Sequence, residues 1–218
     1  DPFSSLNPRL SVRASVAEPL AARDMPRAER RRLADEMLAT VGLEGMGGRY
    51  PHEFSGGQRQ RIAVARALIT RPDVVICDEP VSALDASVQA QVLNLLCDVQ
   101  ERFSPSYLFI SHDLAVVGFI CPRILVMYLG QVVEEAPRER LFAGAAHPYS
   151  QALLAAMPTG DGESRLPRIL EGELPSPLNP PAGCRFHPRC PKAVDICRRE
   201  PPAWKELAPG WRARCHLL

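Results

Sequence analysis

No G-x-x-x-x-G-K-[ST] segment occurs anywhere in these 218 residues, so the sequence contains no phosphate-binding loop of that common type. No apolar run approaches the ~18 residues that a membrane-spanning helix needs, and residues 1–10 lack a signal-peptide pattern. The net charge of +1 offers no general electrostatic case for binding nucleic acid or an anionic membrane surface. The sequence therefore predicts a cytoplasmic protein. Any association with a membrane would be made through partner proteins.

The hydrophobic content of 46% is enough for a core, and the length suits one domain plus an appendage. Stretches with helical spacing, among them 12–22 and 26–41, alternate with short apolar runs at 74–77 and 107–110, which are typical of parallel strands covered on both faces. The arginine-rich side of 26–41 is interpreted as a solvated helix face. Two more strands are predicted at 124–128 and 131–134, around Leu129-Gly130. This alternation predicts an α/β layered domain. Residues 158–183 are rich in Pro, Gly and Glu and are interpreted as a linker or an extended wrap.

The most informative run is FSGGQRQRIAVARALITRPDVVICDEPVSALD, at residues 54–85. Ser55, Gly56, Gly57 and Gln58 stand at the start of a predicted helix, where unpaired N–H groups and a partial positive charge favour phosphate. Glycines let a backbone approach a ligand without a Cβ in the way, and Ser55 suits an N-cap or a hydrogen bond to phosphate. Ser-Gly-Gly alone also fits an ordinary capped helix, but the residues that follow favour the nucleotide interpretation.

Asp78 and Glu79 follow an apolar strand, and the carboxyl ends of strands are where ligands bind in open α/β sheets. Asp78 suits Mg²⁺, which prefers hard oxygen ligands, and Glu79 suits a general base that orients an attacking water. Ser82 and Asp85 belong to the turn that comes next. His112 ends the next predicted strand and is expected at the same edge as Glu79, where a neutral imidazole can hydrogen-bond a γ-phosphate oxygen.

Four of the seven cysteines cluster near the end of the chain, at Cys184, Cys190, Cys197 and Cys215. Four thiolates can ligate Zn²⁺ or an iron–sulfur cluster. Their spacing is wider than that of zinc knuckles and is compatible with a cubane cluster. Unligated thiols are the third alternative, while disulfides are disfavoured in a reducing cytoplasm.

The order of these features resembles that of ATP-binding cassette (ABC) ATPases, with the signature at 55–58, the Walker B strand at 74–79, the D-loop at 82–85 and His112 as the switch histidine. More narrowly, the sequence resembles the ATP-binding subunits of dipeptide/oligopeptide ABC importers, and among them the second of two paired ATPase subunits. The segments that carry this narrower resemblance are Asp1-Pro2, SLNPR (5–9), PHEF (51–54), SVQAQVLNLL (87–96), YLFISHDLAVV (107–117) and HPY (147–149).

This resemblance implies an α/β fold that is the C-terminal part of an ABC nucleotide-binding domain. It divides the chain into a Q-loop remainder with the helical/signature subdomain at 1–60, the Walker B half of the RecA-like sheet at 61–143, and a small Cys-rich, oligopeptide-transporter-type extension at 144–218. The family's Q-loop glutamine and phosphate loop precede Asp1, so the chain is expected to be a fragment without ATPase activity of its own. Without the phosphate-loop strand, the remaining strands are expected to expose edges and apolar faces.

The resemblance also implies roles for the candidate residues. Glu79 and His112 are expected to be catalytic, Asp78 to hold Mg²⁺, and residues 55–58 to contact ATP held by a second subunit, because ABC ATPases close as head-to-tail dimers. The second subunit is expected to be a paralogue. Permease subunits and, indirectly, a solute-binding protein are the other expected partners, at the cytoplasmic face of the cell membrane. Some importers of this family carry a [4Fe–4S] cluster in a similar tail, with Zn²⁺ as the alternative here.

The leading interpretation is therefore an ATP-hydrolysing, energy-coupling subunit of a dipeptide/oligopeptide importer. DNA-repair and chromosome-organising ABC ATPases insert long coiled-coil heptads before the signature, whereas residues 12–50 contain only short helical stretches. Translation-type ABC proteins carry two cassettes in one chain, and nothing here resembles a second one. A fragment that only binds a metal and docks to a partner stays as the alternative.

Overall fold

The computed structural model describes residues 5–157 and 173–218. Their contacts divide the chain into two compact units, Asp1–His112 and Asp113–Leu218. More than half of the predicted linker at 158–183 lies outside the described residues, as does the Asp1-Pro2 pair that carries part of the resemblance.

The first unit combines helices with a two-stranded parallel sheet. Its helices are α1 (Val12–Ala17), α2 (Arg27–Thr40), α3 (Gly56–Leu68) and α4 (Ala86–Phe103), with short 3-10 turns at Glu18–Ala22 and Pro51–Glu53. Its strands are β1 (Val74–Asp78) and β2 (Ser106–Ile110). The predicted helices and strands are confirmed to within a few residues, except that the helix predicted at 12–22 becomes a 3-10 turn after Ala17.

The core of the first unit lies between the apolar faces of these helices. Leu20, Leu38, Ile62 and Leu96 are at most 2% exposed. They come from four different helical segments, so the core depends on the helices packing against each other. Burying a leucine or isoleucine side chain stabilises a fold by about 1.5–3 kcal/mol, which makes this contact the main source of stability here.

Side-chain caps determine where three of the helices begin. Ser11, Ser55 and Asp85 each accept a hydrogen bond from a backbone N–H in the first turn of α1, α3 and α4, respectively. Caps of this kind satisfy N–H groups that have no partner within the helix. The loops before α3 and α4 therefore enter their helices in a defined geometry.

Strands β1 and β2 pair in parallel, with Val74 opposite Ser106 and Asp78 opposite Ile110. The prediction that both strands are covered on both faces is wrong. Val74, Ile76, Leu108 and Ile110 are between 45% and 66% exposed, because no element among the described residues lies over that face. The expectation that the sheet exposes an apolar face is confirmed.

The second unit is built around a four-stranded antiparallel sheet of order β3-β4-β6-β5. The strands are β3 (Arg123–Tyr128), β4 (Gln131–Pro137), β5 (Lys205–Ala208) and β6 (Trp211–Ala213). The helices are α5 (Leu114–Ile120), α6 (Arg138–Ala143), α7 (Pro148–Ala155) and α8 (Asp195–Arg199), with a 3-10 turn at His187–Arg189. The predicted pair of strands around Leu129 and Gly130 is confirmed, and both residues have the positive φ that a tight hairpin requires.

The C-terminal tail is part of this sheet. Strand β6 pairs with β4, with Glu134 opposite Ala213 and Glu135 opposite Arg212. Phe186, which is 1% exposed, packs into the same core as Tyr128. The sequence did not predict β5 and β6, which are four and three residues long and too short to show an alternating pattern.

Glu134 is a fully buried carboxylate that joins three segments of the second unit. Its Oε1 accepts hydrogen bonds from Ala146 N at 2.8 Å and from Trp211 Nε1 at 2.9 Å, and its Oε2 accepts one from His147 N at 2.9 Å. A buried charge is costly unless it is hydrogen-bonded, and these three N–H donors offset that cost. The carboxylate thus holds β4, the loop before α7 and the tail together.

His147 lies beside this carboxylate and is itself 1% exposed. Its Nδ1 accepts a hydrogen bond from Tyr149 N at 3.1 Å and so caps α7. Burial lowers the pKa of His147 to about 4, although the charge of Glu134 acts in the opposite direction. The ring is therefore neutral near pH 7, as its role as a hydrogen-bond acceptor requires.

Helices α3 and α4 approach each other closely at Gly57. A Cβ on Gly57 would overlap the Cγ1 methyl of Val88, whereas a Cβ on Gly56 would meet Leu84 Cδ2 at an ordinary 3.6 Å. Packing between the two helices therefore requires a glycine at position 57. The sequence had assigned both glycines to the approach of a ligand and did not predict this contact.

We expect Glu134→Gln to lower the free energy of unfolding by about 2–3 kcal/mol, because the amide keeps the shape but loses the charge and sets its own N–H₂ group against donors. Chemical denaturation of the intact subunit measures the change. Glu139→Gln is the control, since Glu139 is an exposed carboxylate of the same unit and its loss should leave the free energy of unfolding essentially unchanged. Equal effects of the two substitutions would contradict the role given to Glu134.

Gly57→Ala should lower the free energy of unfolding by about 1–3 kcal/mol through overpacking against Val88. Gly56→Ala is the matched control at the neighbouring position, where the greater helix propensity of alanine should leave stability unchanged or raise it by up to about 1 kcal/mol. The same denaturation experiment compares the two. A stabilising Gly57→Ala would show that α3 and α4 do not pack as described.

Candidate functional site

The candidate site begins where β1 ends. Glu79 follows Asp78 directly and has a φ of +49°, which is unusual for a residue other than glycine. Its N–H donates to Ile110 O at 2.9 Å, which extends the contact with β2 by one residue. Its own carbonyl oxygen accepts a hydrogen bond from the Ser82 hydroxyl at 3.1 Å. These bonds hold the backbone at the point where the chain leaves the sheet.

Glu79 and His112 are in direct contact. The Nδ1 of His112 lies 2.8 Å from Glu79 Oε1 and 3.0 Å from Oε2. The imidazole is exposed and the carboxylate partly so, which leaves the pair accessible to a ligand. The expectation that both lie at one edge of the sheet is confirmed; their catalytic roles remain a prediction.

Asp78 is the last residue of β1 and is exposed at the same end of the strand. A carboxylate in this position has the hard oxygen atoms that Mg²⁺ prefers. In the portion of the chain that the structure describes, no group of three or more His, Cys, Asp or Glu residues is arranged to hold a metal ion by itself. Asp78 is therefore a candidate ligand that would need oxygen atoms from water or phosphate to complete a Mg²⁺ site.

The predicted signature forms the capped start of α3. Ser55 Oγ accepts a hydrogen bond from Gln58 N at 3.3 Å, while Gln58 Oε1 accepts one from Ser55 N at 3.0 Å. This reciprocal capping box holds the N-terminus of α3 rigid. The neighbouring N–H groups of Gly56 and Gly57 belong to the first turn, where a helix favours negative charge.

The side chains of the D-loop residues form hydrogen bonds within the loop and with the start of α4. Asp85 accepts hydrogen bonds from the Ser87 hydroxyl at 2.7 Å and from Val88 N at 3.0 Å, and the pKa of Asp85 is lowered by these bonds, the one from Ser87 having the larger effect. Gln89, which the sequence did not single out, donates to Val81 O at 2.9 Å. The sequence does contain a signal for this contact. Gln89 is a polar residue in the first turn of α4, and its side chain is close enough in sequence to reach the backbone of the preceding D-loop.

Two of the four tail cysteines are in backbone contact. Cys184 N donates to Cys197 O at 2.8 Å, and Gly183, with a φ of +68°, has no room for a Cβ against that carbonyl. Burial raises the pKa of the Cys184 thiol, and the charges of Cys190, Cys197 and Cys215 raise it further. That these four thiols form one metal site stays a prediction, since the described residues contain no group of three or more side chains arranged to hold an ion.

The two histidines of the tail interact with backbone carbonyls. His187 Nδ1 lies 3.0 Å from Cys184 O, and His216 Nε2 lies 2.9 Å from Glu200 O. Histidine is a common metal ligand, so both side chains are possible alternatives to the thiols. These contacts favour a structural role for each.

Among the described residues, no helix is both long enough and apolar enough to cross a membrane.

Two protein-family models match the sequence. The ABC transporter model matches residues 2–82, which include the signature and the Walker B strand. The model of the oligopeptide/dipeptide transporter C-terminal region matches residues 133–197, which include Glu134, His147 and three of the four tail cysteines. The two matches agree with the order of segments expected from the sequence.

The chain is similar over its whole length to ATP-binding proteins of peptide transporters. It is 52% identical to the oligopeptide transport ATP-binding protein AppF of Bacillus subtilis, covering 100% of this chain and 68% of the relative. It is 53% identical to the probable peptide ABC transporter ATP-binding protein y4tS of Sinorhizobium fredii, covering 100% of this chain and 62% of the relative. The chain thus spans about two thirds of the length of these relatives.

The fold is similar to that of a solved ABC protein. The structure of cbiO1 from Clostridium perfringens, part of the ABC transporter complex cbiONQ, matches with a TM-score of 0.61 at 29% identity. The match covers 66% of this chain and 57% of cbiO1. With the family models and the relatives above, this similarity leads to one conclusion: the chain belongs to the family of oligopeptide/dipeptide ABC transporter ATP-binding proteins.

Proposed function

We propose that this chain is part of the ATP-hydrolysing, energy-coupling subunit of an importer for dipeptides, oligopeptides or related solutes. The observation that carries the proposal is the contact of Glu79 with His112 Nδ1 at 2.8 Å, where β1 and β2 end. The names of the relatives, which refer to oligopeptide transport and to a peptide ABC transporter, support the choice of solute.

In the proposed reaction, Glu79 acts on the water that attacks the γ-phosphate. Its carboxylate orients the water and accepts its proton, while the hydrogen bond from His112 holds the carboxylate in place. His112 is exposed enough to contact the γ-phosphate as well. Asp78 would hold Mg²⁺, which neutralises phosphate charge when it is bound.

The signature residues act on a second nucleotide in this proposal. The N-terminus of α3 carries Ser55, Gly56, Gly57 and Gln58 and would contact ATP held by a partner ATPase subunit, which we expect to be a paralogue. The rigid capping box supports this role, because the N–H groups are already in position before the phosphate arrives. Ser82 and Asp85 of the D-loop would lie at the same subunit contact.

We assign three functional segments to the chain. Residues 1–60 would contact the permease through the helical subdomain, 61–143 would carry the catalytic edge, and 144–218 would form the family's C-terminal extension. The permease in turn would receive solute from a solute-binding protein. The subunit would then work at the cytoplasmic face of the cell membrane, held there by its partners.

We propose further that Cys184, Cys190, Cys197 and Cys215 hold a [4Fe–4S] cluster, with Zn²⁺ as the alternative ligand. The hydrogen bond from Cys184 N to Cys197 O at 2.8 Å supports a common site, because it brings two of the four cysteines together although they are distant in sequence. Arg185 donates to Leu129 O and lies in this region, where its charge would offset that of the thiolates. The described residues do not form a ready-made metal site, so ligation would need the sulfur atoms to turn towards a common centre.

Glu79→Gln should lower ATP hydrolysis by at least about 100-fold while ATP still binds, since the amide keeps the hydrogen-bonding shape but cannot accept a proton. The measurement is phosphate release by the intact subunit, with its phosphate-binding loop, in complex with its partners; nucleotide binding is followed separately. Glu101→Gln, an exposed carboxylate on α4, is the control and should hydrolyse ATP at the original rate. Undiminished hydrolysis by Glu79→Gln would remove Glu79 as the base, and absence of hydrolysis in the unmodified complex would leave only a binding function.

Anaerobically purified intact subunit should contain iron and sulfide with broad visible absorbance, and Cys190→Ser should lose most of both. Cys121→Ser is the control, because Cys121 directly follows α5 and is not one of the four tail cysteines. Zinc in place of iron would replace the cluster with a structural zinc site. If the unmodified protein contains neither metal, the tail is not a metal site.

A further inference from the structure

A groove in the first unit runs between α1, with its 3-10 turn, and the start of α2. One wall is formed by small side chains, Ala14, Ala17 and Ala21. The other wall is formed by Arg27, Arg30 and Arg31. The groove has a volume of about 220 Å³, which is below the ~300 Å³ at which pockets for drug-sized ligands begin. It therefore suits a small charged group.

The acidic residues around this groove are already paired. Glu18, which lies in the groove, accepts a hydrogen bond from Arg66 at 2.7 Å, and Asp35 binds Arg13 at the same distance. On the opposite side of α2, Arg32 lies 2.5 Å from Glu36 and 3.9 Å from Glu29. Of the ion pairs in the described part of the chain, none includes Arg27, Arg30 or Arg31, so three positive charges in the groove are uncompensated.

The position of these arginines is unfavourable for the helix that carries them. Arg27 is the first residue of α2, and a helix N-terminus carries a partial positive charge that repels cations. The Nε of Arg30 is also buried without a hydrogen-bond partner in the part of the chain described. Stability therefore does not explain the cluster, whereas a bound anion would relieve both the repulsion and the unpaired N–H group.

We propose that this groove is a binding site for a phosphate-type anion. The planar guanidinium group donates two parallel hydrogen bonds to phosphate oxygens, and three such groups on one wall match a tetrahedral anion. The anion would be free phosphate or the head group of a phospholipid, which share this chemistry. The proposal does not depend on ATP hydrolysis at Glu79.

The test compares the triple variant Arg27→Gln/Arg30→Gln/Arg31→Gln with Arg32→Gln in the intact subunit. Arg32 is the matched control, because it lies on the same helix but its charge is already paired. Melting temperature is measured against inorganic phosphate concentration at constant ionic strength, since a ligand of the folded state raises Tm. The unmodified protein and Arg32→Gln should show a rise with phosphate that the triple variant loses. Without phosphate, the triple variant should melt at the same or a higher temperature, because it removes repulsion at the helix N-terminus.

Vesicles distinguish the two sources of the phosphate group. Flotation with phosphatidylglycerol/phosphatidylcholine vesicles that is at least threefold weaker for the triple variant, and unchanged for Arg32→Gln, would assign the site to a lipid head group. A phosphate-dependent Tm without a difference in flotation would assign it to free phosphate. The proposal is overturned if the triple variant responds to phosphate and vesicles as the unmodified protein does. It is equally overturned if only an acidic peptide, poly-glutamate, distinguishes the variants, which would make the groove a protein-docking surface.

Discussion

The candidate catalytic edge depends on the parallel pairing of β1 with β2. Asp78 lies opposite Ile110, and the N–H of Glu79 extends the pairing to Ile110 O, so both strands end at the same level. That register brings Glu79 and His112 within 3 Å although they are 33 residues apart in sequence. A slip of one residue in either strand would turn His112 to the other face of the sheet. The chemistry proposed for this edge is thus a consequence of backbone hydrogen bonds.

A different polar interaction organises the second unit. Glu134 accepts hydrogen bonds from three N–H groups of two separate segments, and Glu135, at the next position of β4, pairs with Arg123 and Arg212. The two adjacent carboxylates therefore connect the tail to the sheet from both faces of β4. These two carboxylates hold the end of the Cys-rich segment against β4. Gly183, at the start of that segment, allows the backbone to pass close to Cys197.

Local signals in the sequence predicted the structure well where short-range chemistry decides it. The cap at Ser55, the pair of strands around Leu129-Gly130 and the position of Glu79 at a strand end all follow from neighbouring residues. The exposure of Val74 and Ile76 did not, because burial depends on which other elements cover a strand. Strands β5 and β6 were missed for a similar reason: β6 depends on β4 as its partner, and β5 depends on β6.

The packing role of Gly57 also could not be predicted from its neighbours in the sequence. A glycine at a helix start is compatible with phosphate binding, and only the position of Val88 on another helix shows that packing requires it. Similarly, the arginines of α2 were interpreted as part of a solvated helix face. The paired state of the surrounding carboxylates, which no spacing rule predicts, shows that three of them differ from Arg32.

Both tryptophans of the chain belong to the tail, and each has a distinctive environment. The indole of Trp211 donates its N–H to Glu134, and the ring of Trp204 lies 4.5 Å from the guanidinium carbon of Arg212 and 4.6 Å from that of Arg214. Intrinsic tryptophan emission from these residues therefore reports on the docking of the tail to β4. The first unit, which contains the candidate catalytic edge, has no tryptophan of its own, so this emission follows the second unit separately from the first.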